Sequence, residues 1–169
     1  VEELIRDLRK EGGITVRTNW DPLAQIWRDR PAIPLNPVVI QPIEYTGMTF
    51  QEKLQLVRKK LREQHADGML VAALDDIAWL LNLRGSDVHC NPVFVSYLLI
   101  DTQKVTLFVD QRKLDATVND YLNKNNILVE DYNKVGEGLR QYFEYTILLD
   151  PNEINYTLLK KCNAKEIIR

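Results

Sequence analysis

The stretch Val93-Phe-Val-Ser-Tyr-Leu-Leu-Ile100-Asp-Thr-Gln-Lys-Val105-Thr-Leu-Phe-Val109 decides how this 169-residue chain folds. Two apolar runs, 93–100 and 105–109, flank the polar Asp101-Thr-Gln-Lys104, a spacing that predicts a β-hairpin. Neither run alternates apolar with polar residues, as expected of strands covered on both faces. The cover is written on either side. Upstream, Thr49-x-x-Glu52 is a capping box, and Leu54, Val57 and Leu61 carry one apolar helical face to about His65. Gly68 is expected to end that helix, residues 69–74 to form a buried strand, and Asp75 to cap a short helix through Ile77, Ala78, Leu80 and Leu81. Downstream, helices over about 114–123 and 134–143 lead to strands at 127–129 and 145–149. Asp150-Pro151-x-Glu153 reads as the start of a last helix, with Asp150 as cap and Pro151 at the first helical position. A final strand fits 166–168. Helices alternating with apolar strands around one hairpin imply an α/β fold with a mixed sheet.

The segment before this pattern is different. Five of the seven prolines, Pro22, Pro31, Pro34, Pro37 and Pro42, fall within residues 22–42. Each removes a backbone donor and extends its predecessor, so the stretch can be neither a long helix nor a central strand. It reads as an extended linker, with Trp20, Ile26 and Trp27 as anchors onto a neighbouring surface. Ahead of it, Leu4, Ile5 and Leu8 have helical spacing, Gly12-Gly13 is a stop, and 14–18 is a short strand candidate.

Lys and Arg number 22 against 24 Asp and Glu, a net charge of −2, which leaves no basic surplus to neutralise a nucleic-acid backbone. Apolar residues at 45% and charged ones at 27% exclude a disordered or collagen-like chain. Cys90 and Cys162 form no C-x-x-C pair, which fits a reduced, cytoplasmic protein. No apolar run approaches the ~20 residues of a membrane span. The opening Val1-Glu2-Glu3-Leu4 is no secretory signal, and it begins inside a helical pattern, so the chain reads as a piece of something longer.

Candidate chemistry is sparse. His65 and His89 are the only histidines, and the adjacent His89-Cys90 has no second ligand pair at zinc spacing. Asp75, Asp76, Asp87, Asp101 and Asp110 lie at expected element ends, where a two-metal nuclease could use them but caps and turns need them as well. Gly136-x-Gly138 lacks the third glycine of a phosphate loop and falls within an expected helix. Ser86 and Ser96 have no nucleophile elbow, and Arg58-Lys59-Lys60 lies on a solvated helix face. One segment stands apart: Leu83-Arg-Gly-Ser-Asp-Val-His-Cys-Asn-Pro92, a long polar loop between an apolar helix and an apolar strand. Arg84 beside Gly85 could offer a guanidinium fork next to a closely approachable backbone. Alternatively, Arg84 ties the loop down through carbonyls or Asp87.

The stretch Asp75-Asp-Ile-Ala-Trp-Leu-Leu-Asn-Leu-Arg-Gly-Ser-Asp-Val88, followed by Asn91-Pro-Val-Phe94, closely resembles the middle domain of three-domain Xaa-Pro aminopeptidases. Asn19-Trp-Asp-Pro22, Ile26-Trp27-x-Asp29-Arg-Pro31, Phe108-Val-Asp110 and Leu149-Asp-Pro151 extend the likeness. The resemblance implies a creatinase N-terminal-like fold over 46–169, a mixed six-stranded sheet with flanking helices, with 1–45 as the tail of a preceding domain plus linker. It implies a parent enzyme that removes the N-terminal residue of peptides with proline second. Two divalent metal ions, manganese in most relatives, would sit in a separate C-terminal catalytic domain. None of that centre's positions is matched before Arg169, so no catalytic or metal residue is assigned and the chain alone is expected to be inactive. The partners implied are that catalytic domain, short proline-second peptides and a second subunit of a homodimer, with no nucleic acid and no membrane. Arg84, Gly85, Asp87, His89 and Asn91 are then candidates for a substrate-access loop. Many relatives carry Glu-His where this chain has His89-Cys90. The alternative is a creatinase-like protein-binding module without peptidase activity, as in some histone chaperones.

Overall fold

The computed structural model describes residues 2–142, 144–150 and 152–168. In chain order the elements begin with α1 (Glu2–Gly12), α2 (Leu23–Ile26), β1 (Val39–Ile40), α3 (Ile43–Thr46), α4 (Phe50–Glu63), β2 (Gly68–Val71), α5 (Leu74–Leu81) and β3 (Leu83–Arg84). They continue with β4 (Ser96–Asp101), β5 (Val105–Val109), α6 (Ala116–Lys124), β6 (Ile127–Glu130), α7 (Val135–Arg140), β7 (Thr146–Leu149), α8 (Tyr156–Lys161) and β8 (Glu166–Ile168). Six strands make one mixed sheet in the order β6-β5-β4-β2-β7-β8. The hairpin β4–β5 and the pair β2–β4 are antiparallel, whereas β5–β6, β2–β7 and β7–β8 are parallel.

The apolar runs of the hairpin bury side chains on both faces. Leu98, Ile100, Val105, Leu107 and Val109 face a core closed by Leu54 and Leu61 of α4, Ile77 and Leu81 of α5, and Val118 and Leu122 of α6. Leu99 and Phe108 point the other way, into a core with Val135 and Leu139 of α7, Ile147 and Leu149 of β7, and Leu158 of α8. Gly138 belongs to this packing: a Cβ there would lie 2.6 Å from the Phe108 ring, so this glycine lets α7 approach the sheet, whereas a Cβ at Gly136 would meet the Lys161 side chain of α8. The turn between β4 and β5 is held by Asp101, whose carboxylate accepts from the amides of Gln103 at 2.7 Å and Lys104 at 2.5 Å.

The capping box is present: Thr49 Oγ1 accepts from the Glu52 amide, and the Glu52 carboxylate accepts from the Thr49 amide. Other boundaries differ from the sequence reading. Gly68 does not end α4; His65 does, in the left-handed region at φ 55°, and Gly68 opens β2. Asp75 does not cap α5, because Leu74 is already helical and Ala73 holds the cap position; Asp75 and Asp76 instead place negative charge in the first turn. The strand expected over 93–100 begins at Ser96, since the Val95 amide donates to the Asp87 carboxylate instead of a neighbouring strand. The helix expected from Lys134 splits into a 3-10 turn capped by Asp131 and the short α7, and Phe143 lies outside the described residues. Asp150 caps a turn by accepting from the Asn152 amide, and α8 starts later behind Asn155, which caps it through the Leu158 amide. Pro151 lies outside the described residues. Residues 14–18 form no strand: the Ile14 amide turns back to the Leu8 carbonyl at 3.2 Å.

The proline-rich segment is not extended throughout: it opens with the helical turn α2 behind Pro22, and further on it contributes β1, which pairs antiparallel with β3 as Val39 opposite Arg84 and Ile40 opposite Leu83. Trp20, Ile26 and Trp27 are exposed. Among the described residues no helix is long and apolar enough to cross a membrane.

Leu107→Ala empties a fully buried position and is expected to lower the unfolding free energy by about 2–5 kcal/mol. Thr49→Ala, which breaks the capping box, is expected to cost about 1 kcal/mol. Urea denaturation of the two variants checks the order; a larger loss from Thr49→Ala would contradict the placement of the core.

Candidate functional site

The site begins where α5 ends. Asn82 closes the helix in the left-handed region at φ 52°, its amide donating to the Ala78 and Trp79 carbonyls, and the carbonyls of the last turns accept further bonds from side chains. Arg84 Nη1 donates to the carbonyls of Ala78 and Leu83, both at 2.8 Å. Lys53 Nζ donates to the Trp79 carbonyl at 2.7 Å and to Asn82 Oδ1 at 2.6 Å, and Tyr121 donates its hydroxyl to the Leu81 carbonyl at 3.0 Å. Asn82 in turn donates to the Met48 carbonyl at 2.9 Å. Two cations therefore sit at the negative end of α5. Lys53 is buried, with its ammonium 4.5 Å from the Trp79 ring centroid, and burial first, then the nearby Arg84 charge, hold its pKa below the usual lysine value.

Beyond β3 the chain forms a narrow hairpin. The Gly85 amide donates to the Pro92 carbonyl at 3.3 Å, the Asp87 amide to the Val93 carbonyl at 3.1 Å and the Asn91 amide to the Val88 carbonyl at 3.2 Å. Val88 and Asn91 form an antiparallel bridge around His89-Cys90, with Cys90 at φ 60°. Gly85 is required by close approach: a Cβ there would lie 2.7 Å from Phe94 Cβ and 2.9 Å from the Val93 carbonyl oxygen. Of the five candidate loop residues, His89 and Asn91 are exposed at the tip, Arg84 and Gly85 are half-buried, and the Asp87 carboxylate is fully buried.

Asp87 meets a residue that the sequence reading passed over. Its carboxylate pairs with Lys113 Nζ, and the two side chains are 0% and 1% exposed. Asp87 Oδ2 also accepts from the Val95 amide at 2.6 Å, while Oδ1 has no hydrogen-bond partner among the described residues. Lys113 ends a 3-10 turn, Gln111–Lys113, capped by Asp110. The Asp110 carboxylate accepts from Arg112 at its amide, Nε and Nη2, at 3.1, 3.0 and 2.7 Å. Those bonds hold its pKa at about 2, below the ordinary 3.8. Lys53 and Lys113 give no local sequence signal, since their partners lie 26 to 29 positions away.

Of the two readings of Arg84, the guanidinium is on carbonyls, and Asp87 has a different cation. Among the described residues no group of three or more His, Cys, Asp or Glu side chains is arranged to hold a metal ion. Asp101 instead accepts from the Tyr142 hydroxyl at 2.9 Å besides holding its turn. A cleft of about 500 Å³ opens where β2 and β7 end, lined by Ala72, Asp76, Leu149, Asp150 and Glu153; no residue of the 84–91 loop lines it.

A mixed six-stranded sheet between two helical layers, with an ordered polar hairpin after α5 and β3, defines the domain as α/β. A family model described as the Creatinase/Prolidase N-terminal domain matches residues 29–169, and the chain belongs to that family. It is 39% identical over 137 residues to a probable Xaa-Pro aminopeptidase P of Leptosphaeria maculans, covering 81% of this chain and 22% of that protein. Over 110 residues it is 46% identical to Xaa-Pro aminopeptidase 1 of Dictyostelium discoideum, covering 65% of this chain and 17% of that one. The X-prolyl aminopeptidase of Caenorhabditis elegans, described as a cytosolic enzyme with a di-nuclear active site, superposes with a TM-score of 0.90 at 28% identity. That match covers 99% of this chain and 28% of the nematode chain. The chain thus spans about a fifth of the length of the curated relatives it matches.

Gly85→Ala is expected to destabilise the domain by about 1–3 kcal/mol through overpacking against Phe94, measured by thermal unfolding. An unchanged melting temperature would contradict the close approach. A second expectation concerns acid. Because the Asp110 pKa is depressed in the folded state, its contribution is complete above pH 3.8 and is lost as pH falls from there to about 2. Arg112→Ala should return the Asp110 titration toward 3.8, as followed by carboxylate NMR; a midpoint still near 2 would show that Arg112 is not the cause.

Proposed function

We propose that this chain is a non-catalytic domain of an Xaa-Pro aminopeptidase, and that its 84–91 loop faces the catalytic domain and narrows the approach of peptide substrates. The observation that carries the reading is the superposition on the nematode aminopeptidase over 99% of the chain. In this reading residues 46–169 are the creatinase-type domain, and 1–45 are the linker and the end of a preceding domain. The parent removes the N-terminal residue of peptides with proline second. In this reading the activation of water and polarisation of the scissile carbonyl by two divalent ions, proposed to be manganese, fall to the parent's catalytic domain. A homodimer in the cytoplasm completes the proposal.

The loop residues divide by task. Arg84 caps α5, Gly85 allows the two arms of the hairpin to close, and Asp87 pins it to Lys113. His89 and Asn91, exposed at the tip, are the groups proposed to meet a peptide or the facing domain. A hairpin already closed by its own amides can exclude bulky substrates without first being ordered, which spares the entropy of fixing it.

Two measurements test this. The 169-residue chain supplied with manganese should not cleave a proline-second tripeptide that the full-length enzyme cleaves; turnover by the short chain would overturn the assignment. In the full-length enzyme, His89→Gly with Asn91→Gly should change the ratio of kcat/KM between a tripeptide and a decapeptide by about three- to tenfold, or roughly 0.7–1.4 kcal/mol. An unchanged ratio would remove the access role from the loop.

A further inference from the structure

Residues 36–41 of the proline-rich segment lie along the polar loop as a strap. Asn36 Nδ2 donates to the Ser86 carbonyl at 2.8 Å, Val39 and Ile40 pair with Arg84 and Leu83, and the Gln41 amide donates to the Asn82 carbonyl at 2.8 Å. Between these points the Val38 amide donates to the carbonyl of Lys113 at 3.0 Å, and the Val38 side chain is fully buried. Lys113 therefore holds both segments at once: its main chain takes the strap, and its ammonium takes the Asp87 carboxylate of the loop.

We infer that Lys113 is a positioning residue whose buried pair with Asp87 locks the 84–92 loop and the 36–41 strap into one mechanical unit. Both charges are out of water, and one Asp87 oxygen has no described donor, so the pair is the main compensation for each charge. Removing the ammonium leaves a buried carboxylate held by a single amide, which raises the free energy of the closed loop and makes its opening to water easier. Opening there withdraws the support beneath Asn36, Val38 and Arg84 together. The stiffness of the loop tip is thus set from the side facing the linker, away from His89 and Asn91. The consequence for peptide selection rests on the access role proposed above; the coupling itself does not.

Native-state hydrogen exchange on the full-length enzyme tests it. In Lys113→Met, the amides of Gly85, Asp87 and Val95 and those of Val38 and Gln41 should exchange faster together, by about tenfold or more, while β4 and β5 keep their protection. The double variant Asp87→Asn with Lys113→Met, which buries neither charge alone, should return both segments to within about threefold of the parent. Acceleration of the loop without the strap, or no acceleration in either, overturns the inference. Should Lys113→Met fail to fold, Asn36→Ala at the exposed strap–loop contact serves instead: faster exchange at both Ser86–Asp87 and Val38 supports one unit, and a purely local change refutes it. If the segments open together but the tripeptide-to-decapeptide ratio stays unchanged, the access reading fails while the role of Lys113 stands. If tip variants alter that ratio but Lys113→Met exchanges like the parent, the reverse holds.

Discussion

A carboxylate taken out of water must find a cation, and in this domain Asp87 finds Lys113 across 26 positions of sequence. Leaving either charge alone would cost about 3–5 kcal/mol, a large part of the stability of a domain this size. The pair therefore constrains everything around it. It brings the 3-10 turn after β5 against the loop, and that turn exists because Asp110 caps it and Arg112 clamps the cap. It also draws the Val95 amide to Asp87, which delays the start of β4 to Ser96. A single ion pair thereby links a strand boundary, a turn and the linker.

The other end of the loop is fixed by dipoles. Ala78, Trp79 and Leu81 turn their carbonyls toward Arg84, Lys53 and Tyr121, so the C-terminus of α5 is anchored to α4, α6 and β3 at once. Lys53 illustrates the compromise. Among the described residues its ammonium has two oxygens and the face of Trp79 but no carboxylate, and burial first, then the Arg84 charge, lower its pKa. Since the unfolded lysine binds its proton more tightly than the folded one, this burial weighs against the fold below the folded pKa and is relieved as pH rises toward 10.5. Tyr121, beside it, is raised by burial and works in the opposite sense over the same alkaline range, since its neutral form is the one the fold favours.

Local patterns carried most of the architecture. The hairpin, the capping box and the strands at 127–130, 146–149 and 166–168 were legible because each is encoded within a few neighbouring residues. Misreadings arose where two residues of like chemistry competed. Asp150 and Asn155 are both good caps, and the packing of Ile154 and Leu158 into the core favours the later start. Gly68 and His65 both end helices plausibly, and Gly68 is needed elsewhere, where a Cβ would meet Tyr142 and the Ile100 carbonyl. The loop was recognisable as a candidate site, but its internal logic was not. A lysine reads as a solvated residue in any local window, so Lys53 and Lys113 were invisible until the fold placed them. The two-residue β1 is likewise too short to show a period.

These observations set a division of labour inside the domain. The two cores hold the sheet with apolar volume alone. The loop spends buried charge and a required glycine on one fixed hairpin, a cost with no return in core packing. A surface loop with no task is ordinarily the part of a fold with fewest constraints. Here it carries the most: Arg84, Gly85 and Asp87 are each committed to shape, and only the tip from Val88 to Asn91 remains free to meet another surface. That distribution follows if the tip must be presented at a set height and angle. It also locates where the geometry can be tuned: the strap bonds the hairpin through Asn36, the Lys113 carbonyl through Val38 and the end of α5 through Gln41, so a shift of the strap reaches the tip without touching it.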